Sequence, residues 1–212
     1  VYGIPQEQPA TEETETAPIN AYGRSKLMTE WMMNDLSDRP ETDEAFRFIA
    51  LRYFNVAGAR PDLKVGQATP DATHLIKVAC QAALGQRDAI HIFGTDYPTS
   101  DGTGVRDYIH VDDLASAHLS ALSWLRGGGG SQILNCGYGQ GYSVREVIEM
   151  VKKVSGVDFK VIESPRRAGD PPELIAGNDL IHQTLDWETR YQDLELICRT
   201  AYEWEAKWAA MQ

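Results

Sequence analysis

The feature that most constrains the fold is an alternation of strand-like and helix-like segments along the 212 residues. Residues 47–54 (RFIALRYF) are rich in β-branched and aromatic side chains, which predicts a buried strand. Residues 75–84 show a helical pattern that stops at Gly85. The remaining predicted helices are 21–36, 112–125, 143–154, 180–185 and 193–208, and the remaining predicted strands are 90–93, 108–111, 133–135 and 159–163. Such alternation is typical of an α/β fold.

Several predicted helices begin at residues that can cap them. Asn20 can cap helix 21–36, and either Asp112 or Asp113 can cap the helix that runs to about residue 125. The sequence Ser143-Val-Arg-Glu146 has the spacing of a capping box. The apolar side chains of helix 21–36 fall on one side, which we expect to be a packing face: Leu27, Met28, Trp31 and Met32.

Composition excludes several classes of partner. The formal net charge is −11, and an acidic surface repels nucleic-acid phosphate and anionic lipid. A nucleotide ligand would therefore need local Arg or Lys side chains that oppose the overall field. The three cysteines are far apart without a CxxC spacing, so we expect small buried side chains in a reducing cytoplasm rather than disulfides or zinc ligands. No apolar stretch approaches the length of a membrane span.

The beginning of the sequence is unusual for a domain. It opens with Val1-Tyr2-Gly3 and continues with a polar segment rich in Pro and Glu at residues 4–18. This segment has the composition of a surface loop. We therefore expect that part of the protein precedes it.

Tyr22 and Lys26 form the first motif with a chemical meaning. On a helix they stand at i and i+4, so they share one face. A phenol is a poor base at neutral pH, but a nearby ammonium favours its phenolate form. The pair is therefore a candidate proton relay. Alone the motif is weak, because an exposed Tyr and Lys on a helix surface give the same pattern.

Two further segments place ligand-binding side chains near strand ends. Phe54 and Asn55 follow the strand at 47–54, at the edge where open α/β sheets bind ligands, although a turn-forming Asn would look the same. Residues 92–114 combine Phe93, whose ring could stack on a base, with a Pro/Gly/Asp loop and Arg106. An Arg suits bidentate contact with phosphate.

Two other patterns are interpreted as structural. Gly137-Tyr-Gly139-Gln-Gly141 imitates a dinucleotide fingerprint, but Tyr142 stands where the third glycine belongs, so we interpret it as a turn. His110, Asp112 and Asp113 could belong to a metal enzyme, but the two carboxylates stand where a helix cap is expected.

Taken together, NAYGRSK (20–26), RYFNVAGA (52–59) and IFGTDYPTSDGTGVRDYIHVDDL (92–114) resemble the UDP-glucose 4-epimerase family, of the extended short-chain dehydrogenase/reductase type. The similarity continues through LNCGYG (134–139) and PRRAGDP (165–171). The resemblance implies the C-terminal part of such an enzyme, with the end of a Rossmann-type parallel sheet and a smaller α/β substrate domain. Residues 1–58 would be the remainder of the NAD-binding domain. Residues 59–212 would mainly bind the UDP-sugar, with some segments returning to the Rossmann sheet.

The resemblance also implies a mechanism. Tyr22 would take the proton from the sugar 4-hydroxyl, while Lys26 would favour the Tyr22 phenolate and hold the nicotinamide ribose. C4 would be oxidised with NAD as hydride acceptor, the 4-keto sugar would turn over, and reduction on the other face would interconvert UDP-glucose and UDP-galactose. Family members are commonly homodimers. The glycine-rich NAD loop and the catalytic Ser/Thr of the family are absent from this sequence, so we expect the chain alone to be inactive.

The remaining site residues are implied position by position. Phe54 matches a residue beside the nicotinamide. The UDP-sugar contacts would be Asn55, His74, Leu75, Ile92, Phe93, Arg106, Tyr108, Arg167 and Asp170. Among these, Ile92 and Phe93 would border the uracil, Arg106 and Arg167 would grip the pyrophosphate, and Asp170 would bind the uridine ribose.

Some assignments are left open by the sequence. His74 stands where some relatives have Asn and could be an ordinary helix N-terminal His, and Leu174 leaves tolerance of N-acetyl sugars open. Met28, Met32 and Met33 could contribute to a dimer, but we interpret them as core side chains. The alternative functions are a non-catalytic UDP-binding module or another UDP-sugar enzyme of the same class, such as a decarboxylase or dehydratase.

Overall fold

The computed structural model describes residues 1–38 and 46–211. Six helices are assigned there: α1 (Ala21–Ser37), α2 (Leu75–Ala83), α3 (Val111–Arg126), α4 (Val144–Ser155), α5 (Asp179–Thr184) and α6 (Leu194–Ala209). Eight strands alternate with them: β1 (Ile49–Tyr53), β2 (Asn55–Ala57), β3 (Ile90–Phe93), β4 (Val105–His110), β5 (Gln132–Cys136), β6 (Gly141–Ser143), β7 (Val161–Ser164) and β8 (Glu173–Leu174). The predicted α/β class is confirmed.

The strands form three small sheets in which most pairings are parallel. β1 pairs with β5, and β3 pairs with β7, both in parallel. β4 is the centre of the third sheet, with β2 and β8 parallel to it and β6 antiparallel. A single residue, Phe54, separates β1 from β2, so the chain changes its strand partner from β5 to β4 at this point.

The apolar core lies where the helices cover these sheets. α2, α4 and α6 pack against one another. The fully buried side chains of this core include Ile90, Ile109, Leu134, Ile148 and Ile197. All three cysteines are free and buried, as the sequence predicts. Within the described part of the chain, no helix combines the length and apolar character that a membrane crossing requires.

The predicted caps are correct at two helices and wrong at a third. Asn20 Oδ1 accepts the Gly23 N–H at 2.8 Å, and Ser143 with Glu146 forms the capping box of α4. The cap of α3 is neither predicted aspartate but His110, whose Nδ1 accepts the Asp112 N–H at 3.1 Å. β4 runs directly into α3 without a loop, so the helix begins earlier than expected and places both aspartates in its first turn.

The packing predicted for α1 is also wrong. Leu27 is buried, but Met28, Trp31 and Met32 are each more than half exposed. The predicted strand at 47–54 is β1, yet its side chains are only partly covered and Tyr53 is exposed. Among the described elements, β1 packs chiefly against β5 and α3, and α1 has no extensive contact with any of them.

Candidate functional site

A cavity of about 410 Å³ lies between the ends of β2, β3 and β4, the start of α2, and the segment 167–170. It brings together residues that are far apart in sequence. Eight of the predicted site residues line it: Asn55, His74, Leu75, Phe93, Arg106, Tyr108, Arg167 and Asp170.

The sheet register explains how β2 and β4 supply one wall. Asn55 of β2 stands directly opposite Tyr108 of β4 in the parallel pairing. Arg106 and Tyr108 are two residues apart on β4, so both side chains project from the same face of the strand. Tyr108 is 4% exposed, and this burial raises the pKa of its phenol well above the ordinary value. Its hydroxyl therefore stays protonated and is available to donate a hydrogen bond.

Arg106 is held in place by acceptors on the neighbouring segment. Its Nη2 donates to the Asp170 carboxylate and to the Pro171 carbonyl, the latter at 2.7 Å, while Nη1 donates to the Val105 carbonyl at 2.7 Å. The side chain is mostly buried. A guanidinium fixed in this way offers a preorganised cation in the cavity wall.

Two arginines of the segment 166–170 stack on aromatic rings, one at the end of β3 and one in the loop that follows it. The Arg167 guanidinium carbon is 3.7 Å from the centroid of the Phe93 ring. The Arg166 guanidinium stacks on Tyr97 at 4.2 Å, and its Nε donates to Asp96 at 2.6 Å. Arg167 thus covers one face of the Phe93 ring, so a base on that face would require this side chain to move.

His74 and Leu75 line the cavity from the start of α2. His74 precedes the helix, and its ring makes no capping hydrogen bond to it. Instead, His74 Nδ1 lies 2.9 Å from Nε2 of Gln67. The side chain is exposed, so it is accessible from the cavity.

Sequence reasoning missed another part of the wall, which includes a buried ion pair. Lys77 Nζ lies 2.6 Å from Glu205 Oε2, and both side chains are almost completely buried. The other lining residues that were not predicted include Gln67, Arg87, His91 and Trp204. The one signal of this ion pair in the sequence was the charge of Lys77 within the mostly apolar helix α2. Its partner Glu205 is 128 residues away and could not be identified from it.

The cavity is less acidic than the protein as a whole. Its lining includes four basic side chains, Lys77, Arg87, Arg106 and Arg167, against two acidic ones, Asp170 and Glu205. The chain carries a net charge of −11. The local excess of basic groups that a nucleotide ligand would require is therefore present here.

Ile92, Phe54 and Leu174 do not line the cavity. Ile92 is 1% exposed in the core, because the side chains of β3 alternate and its neighbours His91 and Phe93 take the other face. Phe54 is half-buried between β1 and β2. Leu174 is half-buried on β8, opposite Arg106 in the strand register.

Tyr22 and Lys26 lie on the first turns of α1, outside the cavity. Lys26 Nζ is 5.4 Å from the centroid of the Tyr22 ring, so the predicted proximity of ammonium and phenol is present. Tyr22 is 69% exposed. Both side chains are open to a ligand on the solvent side of α1, which fits their predicted contact with NAD.

The glycine-rich turn at 137–141 does not fit a dinucleotide. It connects β5 to the short strand β6 rather than to a helix. Two of its N–H groups are already used, because Tyr138 N and Gly139 N donate to the buried Asp107 carboxylate at 3.0 and 2.9 Å. A Cβ at Gly137 would lie 2.7 Å from that carboxylate. The interpretation of this segment as a structural turn agrees with these contacts.

The residues considered for a metal site are engaged in other contacts. His110 Nε2 lies 3.1 Å from the Ala59 carbonyl while its Nδ1 caps α3. Asp113 accepts the Tyr138 hydroxyl and the N–H groups of Arg190 and Tyr191. In residues 1–38 and 46–211, no cluster of three or more His, Cys, Asp or Glu side chains is arranged to hold a metal ion.

Comparisons with known proteins show which family this chain is similar to. The model of the NAD dependent epimerase/dehydratase family matches residues 1–137. UDP-glucose 4-epimerase of Azospirillum brasilense is 55% identical over 205 residues, covering 97% of this chain and 58% of the relative. The enzyme of that name from Streptococcus mutans is 44% identical, covering 98% of this chain and 61% of the relative.

Solved structures give the same result. A UDP-glucose-4-epimerase from Stenotrophomonas maltophila, with bound NAD and formylated UDP-arabinopyranose, has a TM-score of 0.93 and 38% identity, covering 100% of this chain and 62% of that chain. The UDP-Glc/GlcNAc 4-epimerase from Campylobacter jejuni has a TM-score of 0.77 and 53% identity, covering 97% and 61%. The chain thus spans about three fifths of the length of these relatives. On the strength of the family match, the chain belongs to the NAD dependent epimerase/dehydratase family.

Proposed function

We propose that this chain carries the UDP-sugar site and the catalytic Tyr–Lys pair of an NAD-dependent UDP-glucose 4-epimerase. The observation that supports this most strongly is the composition of one cavity. Nine residues are assigned to the UDP-sugar by resemblance, and eight of them line it, Ile92 being the exception. They come from three strands, one loop and the start of one helix. Such convergence is expected of a binding site rather than of a chance surface.

The diphosphate would bind between Arg106 and Arg167. Arg106 already has a fixed orientation, and Arg167 would leave Phe93 to reach the phosphate. Asp170 would exchange its contact with Arg106 for the uridine ribose, and the vacated face of Phe93 would receive the uracil. Phosphate is a stronger partner for a guanidinium than an aromatic ring, so this exchange is favourable.

The proton chemistry would fall to α1. The Tyr22 phenolate, stabilised by the positive charge of the Lys26 ammonium, would accept the proton of the sugar 4-hydroxyl and become the neutral phenol. Bound NAD supplies the hydride acceptor and donor for C4. Lys26 would also donate hydrogen bonds to the nicotinamide ribose, and Phe54 would lie beside the nicotinamide.

Further features of the whole protein belong to this proposal. Residues 1–58 would complete a Rossmann domain, and residues 59–212 would form most of the substrate domain. A homodimer in the cytoplasm is the proposed state, with the exposed methionines of α1 as candidate contacts. The chain by itself would bind UDP but would not turn over substrate.

The test is conversion of UDP-galactose to UDP-glucose, with NAD present, by the enzyme that contains this chain. Formation of UDP-glucose without loss of carbon dioxide or water supports the proposal. Tight UDP binding without conversion would indicate a non-catalytic UDP-binding module instead. Release of carbon dioxide from UDP-glucuronic acid, or of water from UDP-glucose, would indicate a decarboxylase or a dehydratase of the same class.

A further inference from the structure

Helix α1, which carries Tyr22 and Lys26, has few contacts with the rest of the described chain. Its buried residues are Gly23, Leu27 and Glu30. One of these three is charged, although an acidic side chain is rarely buried without a partner. Within the part of the chain that the structure describes, the attachment of α1 therefore depends strongly on what Glu30 binds.

Glu30 binds Arg52 of β1 in a two-pronged ion pair. Arg52 Nε donates to Glu30 Oε1 at 2.8 Å, and Arg52 Nη2 donates to Glu30 Oε2 at 2.6 Å. The two side chains are 11% and 8% exposed. Two parallel bonds between planar groups fix orientation as well as distance, so the pair limits both sliding and rotation of α1 over β1.

Arg52 is in turn fixed from its other side. Its Nη1 donates to the Tyr2 hydroxyl at 2.8 Å, and that hydroxyl donates to Asn135 Oδ1 at 2.6 Å. Asn135 stands opposite Arg52 in the register of β1 and β5. The Glu30 carboxylate is therefore connected through Arg52 to the rigid sheet rather than to a mobile surface group.

The spacing on α1 relates this anchor to the chemistry. Tyr22, Lys26 and Glu30 follow one another at intervals of four residues, so each lies about one turn from the next on neighbouring parts of one side. A small rotation of α1 at Glu30 would carry Tyr22 and Lys26 with it.

We propose that Glu30 and Arg52 are positioning residues for the reaction, and that their ion pair sets the rotation and height of the Tyr22–Lys26 face above β1. This inference rests on the proposed function, because it assigns Tyr22 and Lys26 their catalytic role. Neither Glu30 nor Arg52 lines the cavity, so both would act through α1. Misplacement of a catalytic group by about 1 Å can lower turnover roughly 100-fold.

The first experiment is Glu30→Gln in the active enzyme that contains this chain. Gln keeps the size of the side chain, but it loses the charge and replaces one acceptor with a donor that faces the guanidinium. We expect kcat to fall about 10- to 100-fold, with KM for the UDP-sugar and the Kd for UDP unchanged. We also expect backbone amides of α1 to exchange with deuterium at least ~10-fold faster. Unchanged kcat and unchanged exchange would overturn the proposal.

A double variant separates positioning from stability. Glu30→Met with Arg52→Met removes both charges together, and apolar pairs often replace buried ion pairs without loss of stability. We expect Tm to return towards that of the parent enzyme while kcat stays low, because no directional bond is restored. Recovery of kcat together with Tm would show that the pair serves stability alone and would overturn the proposal.

The matched control is Glu163→Gln, the same chemical change in the more exposed Arg145–Glu163 ion pair. It should leave kcat and the exchange of α1 unchanged; an equal fall in kcat here would also overturn the proposal. The result that would contradict the proposed function differs from the results that would overturn this positioning role. A parent enzyme without epimerase activity would contradict that function, whereas exchange in α1 would still report on the anchoring by Glu30.

Discussion

The molecule has one buried ion pair beside the cavity and another beneath α1, and the two pairs have different surroundings. Lys77–Glu205 joins α2 to α6 beside the cavity, where these helices also pack through apolar side chains. Glu30–Arg52 joins α1 to β1, where Leu27 is the one large apolar side chain that α1 buries. The cavity wall is thus held by many contacts within this chain. Within residues 1–38 and 46–211, the Tyr22–Lys26 face depends on a few polar contacts and leaves an apolar surface exposed.

The difference between the two regions has a physical consequence for function. Binding requires a wall that exists before the ligand arrives, and the packed cavity provides one. The catalytic pair requires orientation, which a two-pronged ion pair supplies with little buried apolar area. We therefore expect substitutions in the cavity to change UDP affinity or stability, and substitutions on α1 to change turnover.

The largest expected effect tests the α1 side of this comparison. In the enzyme that contains this chain, Tyr22→Phe removes the proposed proton acceptor and should lower kcat by about 10²- to 10⁴-fold. The Kd for UDP, measured by calorimetry, should stay nearly unchanged because Tyr22 does not line the cavity. Wild-type turnover in this variant would contradict the catalytic role of Tyr22. It would also contradict the proposed assignment of binding to the cavity and of turnover to α1.

The second prediction concerns the ion pair beside the cavity. Lys77→Met leaves Glu205 buried without its cation, and breaking a buried pair in this way costs about 3–5 kcal/mol of unfolding free energy. Adding Glu205→Leu should restore most of that loss, since apolar packing is already present around the pair. Urea denaturation measures both variants, with Lys153→Met in the exposed Lys153–Glu195 pair as the control. Equal stability of the single and double variants would contradict the interpretation.

The third prediction addresses binding. Arg106→Ala removes a fixed cation from the cavity and leaves Asp170 without its guanidinium partner. A charge-assisted bond contributes about 1.5–3 kcal/mol, so the Kd for UDP should rise about 10- to 100-fold. Arg166→Ala is a suitable control, because its guanidinium binds Asp96 and Tyr97 rather than facing the cavity. Unchanged UDP affinity in Arg106→Ala would contradict the pyrophosphate assignment.

Local signals allowed much of the fold to be predicted from the sequence. The caps at Asn20 and at Ser143 with Glu146 each join residues three positions apart, so both partners are visible in one short window. Parallel pairing was predictable because strands and helices alternate. Several residues of the candidate site were found through a family resemblance and not through periodicity. Their catalytic and binding roles stay predictions.

Contacts that join distant parts of the chain could not be predicted in this way. Lys77 and Glu205 are 128 residues apart, and Tyr2 and Asn135 are 133 residues apart. No local pattern distinguishes such a charge or hydroxyl from one that faces solvent. Ile92 was assigned to the uracil contact by resemblance, although strand alternation alone could have placed it in the core beside Ile90. His110 was considered for metal binding but caps α3, which gives it a buried environment that the sequence did not reveal.

The smallest expected effect concerns the buried side chain of His110 and tests only the packed region around the cavity. Burial lowers the pKa of His110 below its ordinary value of 6.5. Between the lowered pKa and about pH 6.5, the unfolded chain binds the proton that the folded chain excludes, so stability falls as pH decreases through that window. One group contributes at most about 1.4 kcal/mol per pH unit. His110→Asn keeps a capping side chain but removes the titrating ring.

The measurement is the free energy of unfolding by urea at pH 7.5 and pH 5.5, for the parent protein and for His110→Asn. The asparagine variant should be less stable at pH 7.5, because it loses the contact with Ala59 and the stacking on Tyr191. It should nevertheless lose less stability on acidification than the parent. Equal losses would mean that His110 accepts a proton in the folded state as readily as in the unfolded chain. Because His110 joins β4 to α3 and contacts the loop after β2, a difference in slope would report on the packed region around the cavity rather than on α1.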